Sequence, residues 1–154
     1  MKEVEMSDAA FELEQVNEVM KRYYIALSER DIELLGDVMA HDEDMVNFGT
    51  DRDERWLGWK EFEQIHRKQF EAITKYDITR HDQVVKLNVS ADTAWFSEIL
   101  KAQVEAMDEK YELSLRVSGV IEKREGKWVI VQIHRSLPKE GFAVKYMETH
   151  GVRF

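Results

Sequence analysis

Several side chains of this 154-residue chain have a type and setting that could do chemistry: Tyr23, Asn47, Trp56, Trp95, Glu98, Arg116 and His134. Tyr23 lies in an apolar helical stretch, where its hydroxyl either enters a pocket or finds a backbone partner in the core. Asn47 stands between Val46 and Phe48, and its amide either orients a ligand oxygen or serves a turn. Glu98 shares a strand face with Ala94, Phe96, Leu100 and Ala102. A carboxyl on such a face is poorly solvated and could act as acid or base, unless it meets Arg135 or Lys101. Arg116, beside Ser118 on one face of a strand, could anchor a carboxylate bidentately, pair with a neighbouring acid, or lie at a subunit interface. His134 alternates with Gln132, Ser136 and Trp128, against Val129, Val131, Ile133 and Arg135 on the opposite face. The second face is the cleaner apolar one. It suits the core, and leaves His134 to a partner subunit or a polar part of a pocket. Trp56 and Trp59 precede a helix as a hydrophobic lid, whereas Trp95 and Trp128 fall on strands, where core or interface positions are usual.

Other chemistries are set aside by residue type. There are no cysteines, which removes disulfides, thiolate metal sites and cysteine nucleophiles. Five histidines, His41, His66, His81, His134 and His150, are scattered without paired metal-ligand spacing, so no metal site is expected. No glycine-rich phosphate loop and no nucleophile elbow occurs, and no cofactor is expected. With 22 Lys and Arg against 31 Asp and Glu, the formal net charge is −9. That balance disfavours nucleic acid and anionic membrane surfaces. The N-terminus lacks an apolar signal segment and no apolar run is long enough to span a bilayer, so a cytoplasmic protein is expected.

These side chains need elements to position them. Between Ala10 and Ser28 apolar residues recur at gaps of three and four, which predicts a helix. Asp31 is a suitable N-cap for a short second helix carrying Ile32, Leu35, Val38 and Met39. A short strand follows at Met45 to Gly49, then a charged loop from Thr50 to Arg55, then a third helix from Lys60 to Ile73. Four long strands complete the pattern, over Tyr76–Val89, Thr93–Met107, Lys110–Glu125 and Lys127–Leu137, with polar turns between them. Consecutive strands joined by tight turns form an antiparallel meander. The expected class is α+β, with three N-terminal helices packed on a strongly curved, mainly antiparallel sheet. One domain spans residues 1–154, with its core at about 10–138 and short tails.

Three local patterns carry a resemblance. The first is Arg22-Tyr23-Tyr24-Ile25-Ala26-Leu27 followed by Asp31-Ile32-Glu33-Leu34-Leu35 and His41 to Val46; the second is Trp56-Leu57-Gly58-Trp59-Lys60; the third is Gly126-Lys127-Trp128-Val129-Ile130-Val131-Gln132-Ile133-His134-Arg135-Ser136. In order and spacing they resemble the nuclear transport factor 2-like superfamily, which includes ketosteroid isomerases and SnoaL-like polyketide cyclases. The resemblance implies a cone-shaped fold with a pocket between sheet and helices, and frequent pairing of two subunits through the sheet. In ketosteroid isomerases a tyrosine and a protonated aspartate form an oxyanion hole, and a second aspartate moves the proton. Those positions fall on Tyr23, near Ser118, and on Asn47. An amide cannot abstract a proton near neutral pH, so ketosteroid isomerisation by that mechanism is not expected, and no residue is assigned a catalytic role. The expected function is binding of a small, partly apolar molecule in an internal pocket, with isomerase, cyclase or hydratase chemistry open. The alternative is a non-catalytic association domain forming a homodimer. A one-residue bulge in any long strand would exchange its two face lists.

Overall fold

The computed structural model describes residues 2–139, 141 and 149–151. Most of the expected C-terminal tail from Lys139 to Phe154 lies outside the described residues. The elements are α1 (Lys2–Glu29), α2 (Ile32–Val38), β1 (Val46–Phe48), β2 (Arg55–Leu57), α3 (Gly58–Ala72), β3 (Ile73–Leu87), β4 (Thr93–Ala106), β5 (Glu109–Arg124) and β6 (Lys127–Ser136). α1 therefore starts eight residues before the Ala10 expected from its apolar stripe, and Phe11, counted in that stripe, is exposed. β2 was not anticipated. Its three residues pair antiparallel with β1, Asn47 opposite Trp56.

Local chemistry sets the joints. α1 stops where Arg30 turns left-handed, with φ 54°, and the Asp31 N–H donates back to the Ala26 carbonyl at 2.8 Å. The Asp31 carboxylate then accepts from the Leu34 N–H at 3.0 Å and caps α2. Glu61 accepts from the Leu57 N–H at 2.6 Å at the start of α3. Two strand joints are two-residue turns with positive φ at both positions, Met107-Asp108 between β4 and β5 and Glu125-Gly126 between β5 and β6. That geometry matches the right-handed twist of the flanking strands.

All six strands form one sheet in the order β2-β1-β6-β5-β4-β3. Every pairing is antiparallel except β1 with β6, where Phe48 lies beside His134 in parallel. The helices cover one face of this curled sheet. Val16, Met20, Tyr23, Leu27, Leu35 and Phe62 meet Phe96, Leu100, Leu115, Ile121, Ile130 and Ile133 in a continuous core. The Glu12 carboxylate ties α1 to the sheet by accepting from the Trp128 indole at 2.6 Å and pairing with Lys123.

β6 contains the feature that decides which residues face inward. Val120 pairs with Gln132 but Ile121 pairs with Ile130, so Val131 is an extra, unpaired residue. The bulge places Trp128 and Ile130 on the same buried side as Ile133 and Arg135, with Gln132 and His134 outside. Simple alternation had put Trp128 with His134. The two instead lie on opposite faces, because the bulge reverses the faces on one side of Val131.

Gly58 has φ +76°, and a Cβ there would sit 2.8 Å from the Glu43 carbonyl oxygen. Both the left-handed backbone and the close approach require glycine. Gly58→Ala is expected to lower stability by about 1–3 kcal/mol, measured as a shift of the chemical denaturation midpoint.

Candidate functional site

The cone interior holds a fixed positive charge. Arg135, on the inner side of β6, is 7% exposed. Its Nη2 lies 2.9 Å from His66 Nε2, and its guanidinium carbon stands 5.6 Å from the centre of the Trp56 ring. A guanidinium has only donors, so His66 Nε2 must accept. The imidazole proton is then on Nδ1, which donates to the Phe62 carbonyl at 2.7 Å. His66 occupies the inner face of α3 one turn after Phe62, its ring stacked on that phenyl at 4.0 Å. Burial, reinforced by the Arg135 charge and opposed by the Phe62 carbonyl, pulls the His66 pKa down to about 3.

Arg135 Nε has no hydrogen-bond partner, and among the described residues Arg135 makes no ion pair within 4 Å. The side chain lines a cavity of about 150 Å³ with Trp56, Tyr76, Val104, Leu113 and Leu115 as its apolar wall and Glu54, Thr50 and Gln69 as its polar edge. Burial raises the Tyr76 pKa, with the Arg135 charge opposing it. Tyr23 behaves alike, with burial the largest cause. Both phenols are therefore neutral donors. Buried side-chain polar atoms nearly always find partners. Among the described residues those that do not are Tyr23 Oη, Asn47 Nδ2 and Arg135 Nε, all on residues of the sheet–helix interior.

The sequence candidates divide between the two faces of the sheet. Tyr23, Asn47, Trp56 and Glu98 are buried inside. Asn47 Oδ1 accepts from the Ile133 N–H at 2.8 Å, which stitches β1 to β6 and leaves its Nδ2 free. Glu98 meets neither Arg135 nor Lys101. Its two oxygens accept from Arg80 Nε at 2.8 Å and from the Tyr24 hydroxyl at 2.7 Å, and the Arg80 guanidinium also covers the Tyr24 ring at 4.7 Å. Burial and the adjacent Glu98 hold the Tyr24 pKa far above the ordinary range. This carboxylate is occupied as an internal counter-ion. Trp95, Arg116 and His134 lie on the outer face and are exposed, because alternation on β4, β5 and the last residues of β6 points them away from the helices. They border or adjoin an open groove of about 510 Å³ lined by Ser97, Arg116, Ser118 and His134; for these residues the interior pocket is replaced by a surface position.

Arg135, His66, Tyr76 and Glu54 were not singled out from sequence. A signal existed for the first two. Arg135 continues the apolar face of β6, and His66 follows Phe62 by four residues on the apolar side of α3. Nothing local marks Tyr76 or Glu54, which the fold brings in from β3 and from the loop after β1. No group of three or more His, Asp or Glu side chains among the described residues is arranged to hold a metal ion.

Because the folded pKa of His66 is depressed, the unfolded chain binds the extra proton between about pH 3 and 6.5. Stability therefore rises with pH across that window and falls on acidification. Between pH 7 and 4.5 the wild-type chain is expected to lose about 2 kcal/mol more than His66→Gln, which keeps an acceptor for Arg135 but does not titrate. Denaturation curves at the two pH values measure the difference.

Comparison with known proteins agrees with this architecture. Residues 16–140 match the family described as SnoaL-like domain. No curated protein matches the chain. Among solved structures, a nuclear transport factor 2-like superfamily protein from Salmonella enterica is similar with a TM-score of 0.76 and 14% identity, over 85% of this chain and 94% of that one. A Xanthomonas campestris protein, provisionally described as a calcium/calmodulin-dependent protein kinase II association domain, is similar at 0.70 and 22% identity, over 81% and 86% of the two chains. A Novosphingobium aromaticivorans protein, provisionally described as a scytalone dehydratase, is similar at 0.74 and 14% identity, over 86% and 89%. At these identities the structural likeness speaks to the fold alone. With its motifs in order and most of its length matched, the chain belongs to the SnoaL-like domain family, and its fold is like that of the nuclear transport factor 2-like protein.

Proposed function

We propose that this protein binds a small, partly apolar molecule carrying a carboxylate inside the cone, with Arg135 as its anion anchor. The observation that carries this reading is a buried guanidinium with a free Nε beside a cavity, with no carboxylate in direct ion-pair contact among the described residues. An unpaired buried charge is costly, and a bound anion would complete it. His66 holds one side of the guanidinium, while Trp56, Leu113 and Leu115 give an apolar wall for the ligand body.

Any catalysis would draw on neutral hydroxyls as donors. Tyr23 and Tyr76 can donate to an oxygen that gains charge, in the manner of an oxyanion hole. Asn47 stands where a general base would be needed, and Glu98 is held by Arg80 and Tyr24. Isomerase, cyclase or hydratase chemistry would need its proton acceptor from Glu54 at the cavity edge, from the substrate or from water. The provisional scytalone dehydratase among the structural neighbours gives a hydro-lyase precedent on this fold.

Valerate and its uncharged amide, valeramide, are suitable probes. Valerate is expected to raise the thermal midpoint of the wild-type chain and valeramide to leave it unchanged. Arg135→Met should weaken valerate binding roughly 10–100-fold, the value of a charge-assisted hydrogen bond. Equal effects of the two probes would remove the anion anchor.

A second reading is favoured by the outer sheet face. Trp95 and Val84 are each 49% exposed there, with Ile99 half-buried, in a mixed apolar and charged surface suited to a second copy of the chain. The provisional association domain among the neighbours points the same way. Light scattering should then give twice the chain mass, and Trp95→Glu should shift the protein to monomer. A monomeric wild-type chain at high micromolar concentration would exclude this reading.

A further inference from the structure

Arg135 does not face only apolar wall across its cavity. Glu54, on the loop leading into β2, lines the same space of about 150 Å³. Its carboxylate is fixed in place. Oε1 accepts from the Asp51 N–H at 2.8 Å, and Oε2 accepts from Gln69 Nε2 at 3.3 Å. The loop is closed by the Gly49 N–H donating to the Glu54 carbonyl at 2.9 Å. Gly49 is required for this packing, since a Cβ there would stand 2.8 Å from the Glu54 carboxylate and 2.5 Å from the Trp56 ring. The carboxylate is thereby seated over Gly49 at the edge of the cavity.

Arg135 and Glu54 are of opposite charge, yet they form no ion pair within 4 Å. Each is held by other groups, Arg135 by His66 and Glu54 by the loop amide and Gln69. A cavity with a fixed cation at one place and a fixed anion at another selects ligands by both ends. A carboxylate fits the guanidinium. At the other end Glu54 attracts an ammonium or a hydroxyl donor and repels a second carboxylate.

We infer that Glu54 is a specificity-determining residue of the pocket, and that the ligand class is a short carboxylic acid bearing a hydrogen-bond donor, best an ammonium, at the end remote from its carboxylate. This rests on the anion-anchor reading of Arg135. The volume, equal to about five water molecules in bulk, limits such a ligand to a short chain. Dicarboxylates are excluded by the same charge that favours the ammonium.

Calorimetric titration of the full chain at pH 7 with valerate, 5-aminovalerate and glutarate tests this, since the three share a five-carbon chain and differ at the far end. The wild-type chain is expected to bind 5-aminovalerate about tenfold more tightly than valerate, with glutarate weakest. In Glu54→Gln, which keeps an acceptor for the Asp51 N–H, the preference should shrink to within about threefold and glutarate should tighten. Valerate binding at least as tightly as 5-aminovalerate in the wild-type chain would overturn the inference, and that comparison needs no variant. A preference unchanged in Glu54→Gln would also overturn it, while leaving the anion anchor intact. If none of the three binds, and Arg135→Met behaves as wild type, the anchor itself fails and this inference falls with it.

Discussion

A guanidinium cannot discharge itself at any ordinary pH, and this fold puts one among aromatic and aliphatic side chains. Much of the interior is arranged around that constraint. His66 must be neutral to accept from Arg135, and burial in α3 keeps it neutral. Its remaining nitrogen is spent on the Phe62 carbonyl, which fixes the tautomer. Trp56 presents its ring toward the cation, and pairing of β2 with β1 fixes where that ring stands. The helix, the short hairpin and the final strand are thus linked through one side chain.

A second buried charge has been treated in the opposite way. Glu98 receives a direct ion pair from Arg80 and a hydrogen bond from Tyr24, so both oxygens are satisfied. The contrast is informative. Two ionised groups lie in one interior, one saturated by protein partners and the other left with a free donor beside a cavity. Saturation describes a structural network. A free donor beside a void describes a place for a ligand. The two sides of the sheet differ as well: the helices pack on the inner face, while the outer face shows Trp95, Arg116 and His134 to solvent.

The fold was largely legible because its signals are local. The 3–4 spacing of Val16, Val19, Met20, Tyr23 and Leu27 marks α1, Asp31 caps α2, and turn residues separate the long strands. β2 was missed since three residues carry too little periodicity to register. The site was legible only in part. Of the sequence candidates, Tyr23, Asn47, Trp56 and Glu98 are buried inside, and of these Trp56 lines the cavity beside Arg135. Arg135 stood in plain view on the apolar face of β6, but choosing between it and His134 required knowing which face was concave. Glu54 looked like one more charge in a solvated loop, and only its seat over Gly49 beside the cavity distinguishes it.

Sequence alone determined the class of the protein, an acidic α+β domain without thiol chemistry, and the order of its elements. These depend on residue type, periodicity and turn preference, all properties of neighbouring residues. Tertiary structure decided the inside of the cone. The extra residue Val131 reverses the faces of β6, and the closing of the sheet brings residues from α3, β3 and the loop before β2 to Arg135. Such meetings join positions tens of residues apart. Their geometry follows from how strands twist and bulge, which no local pattern of side chains encodes.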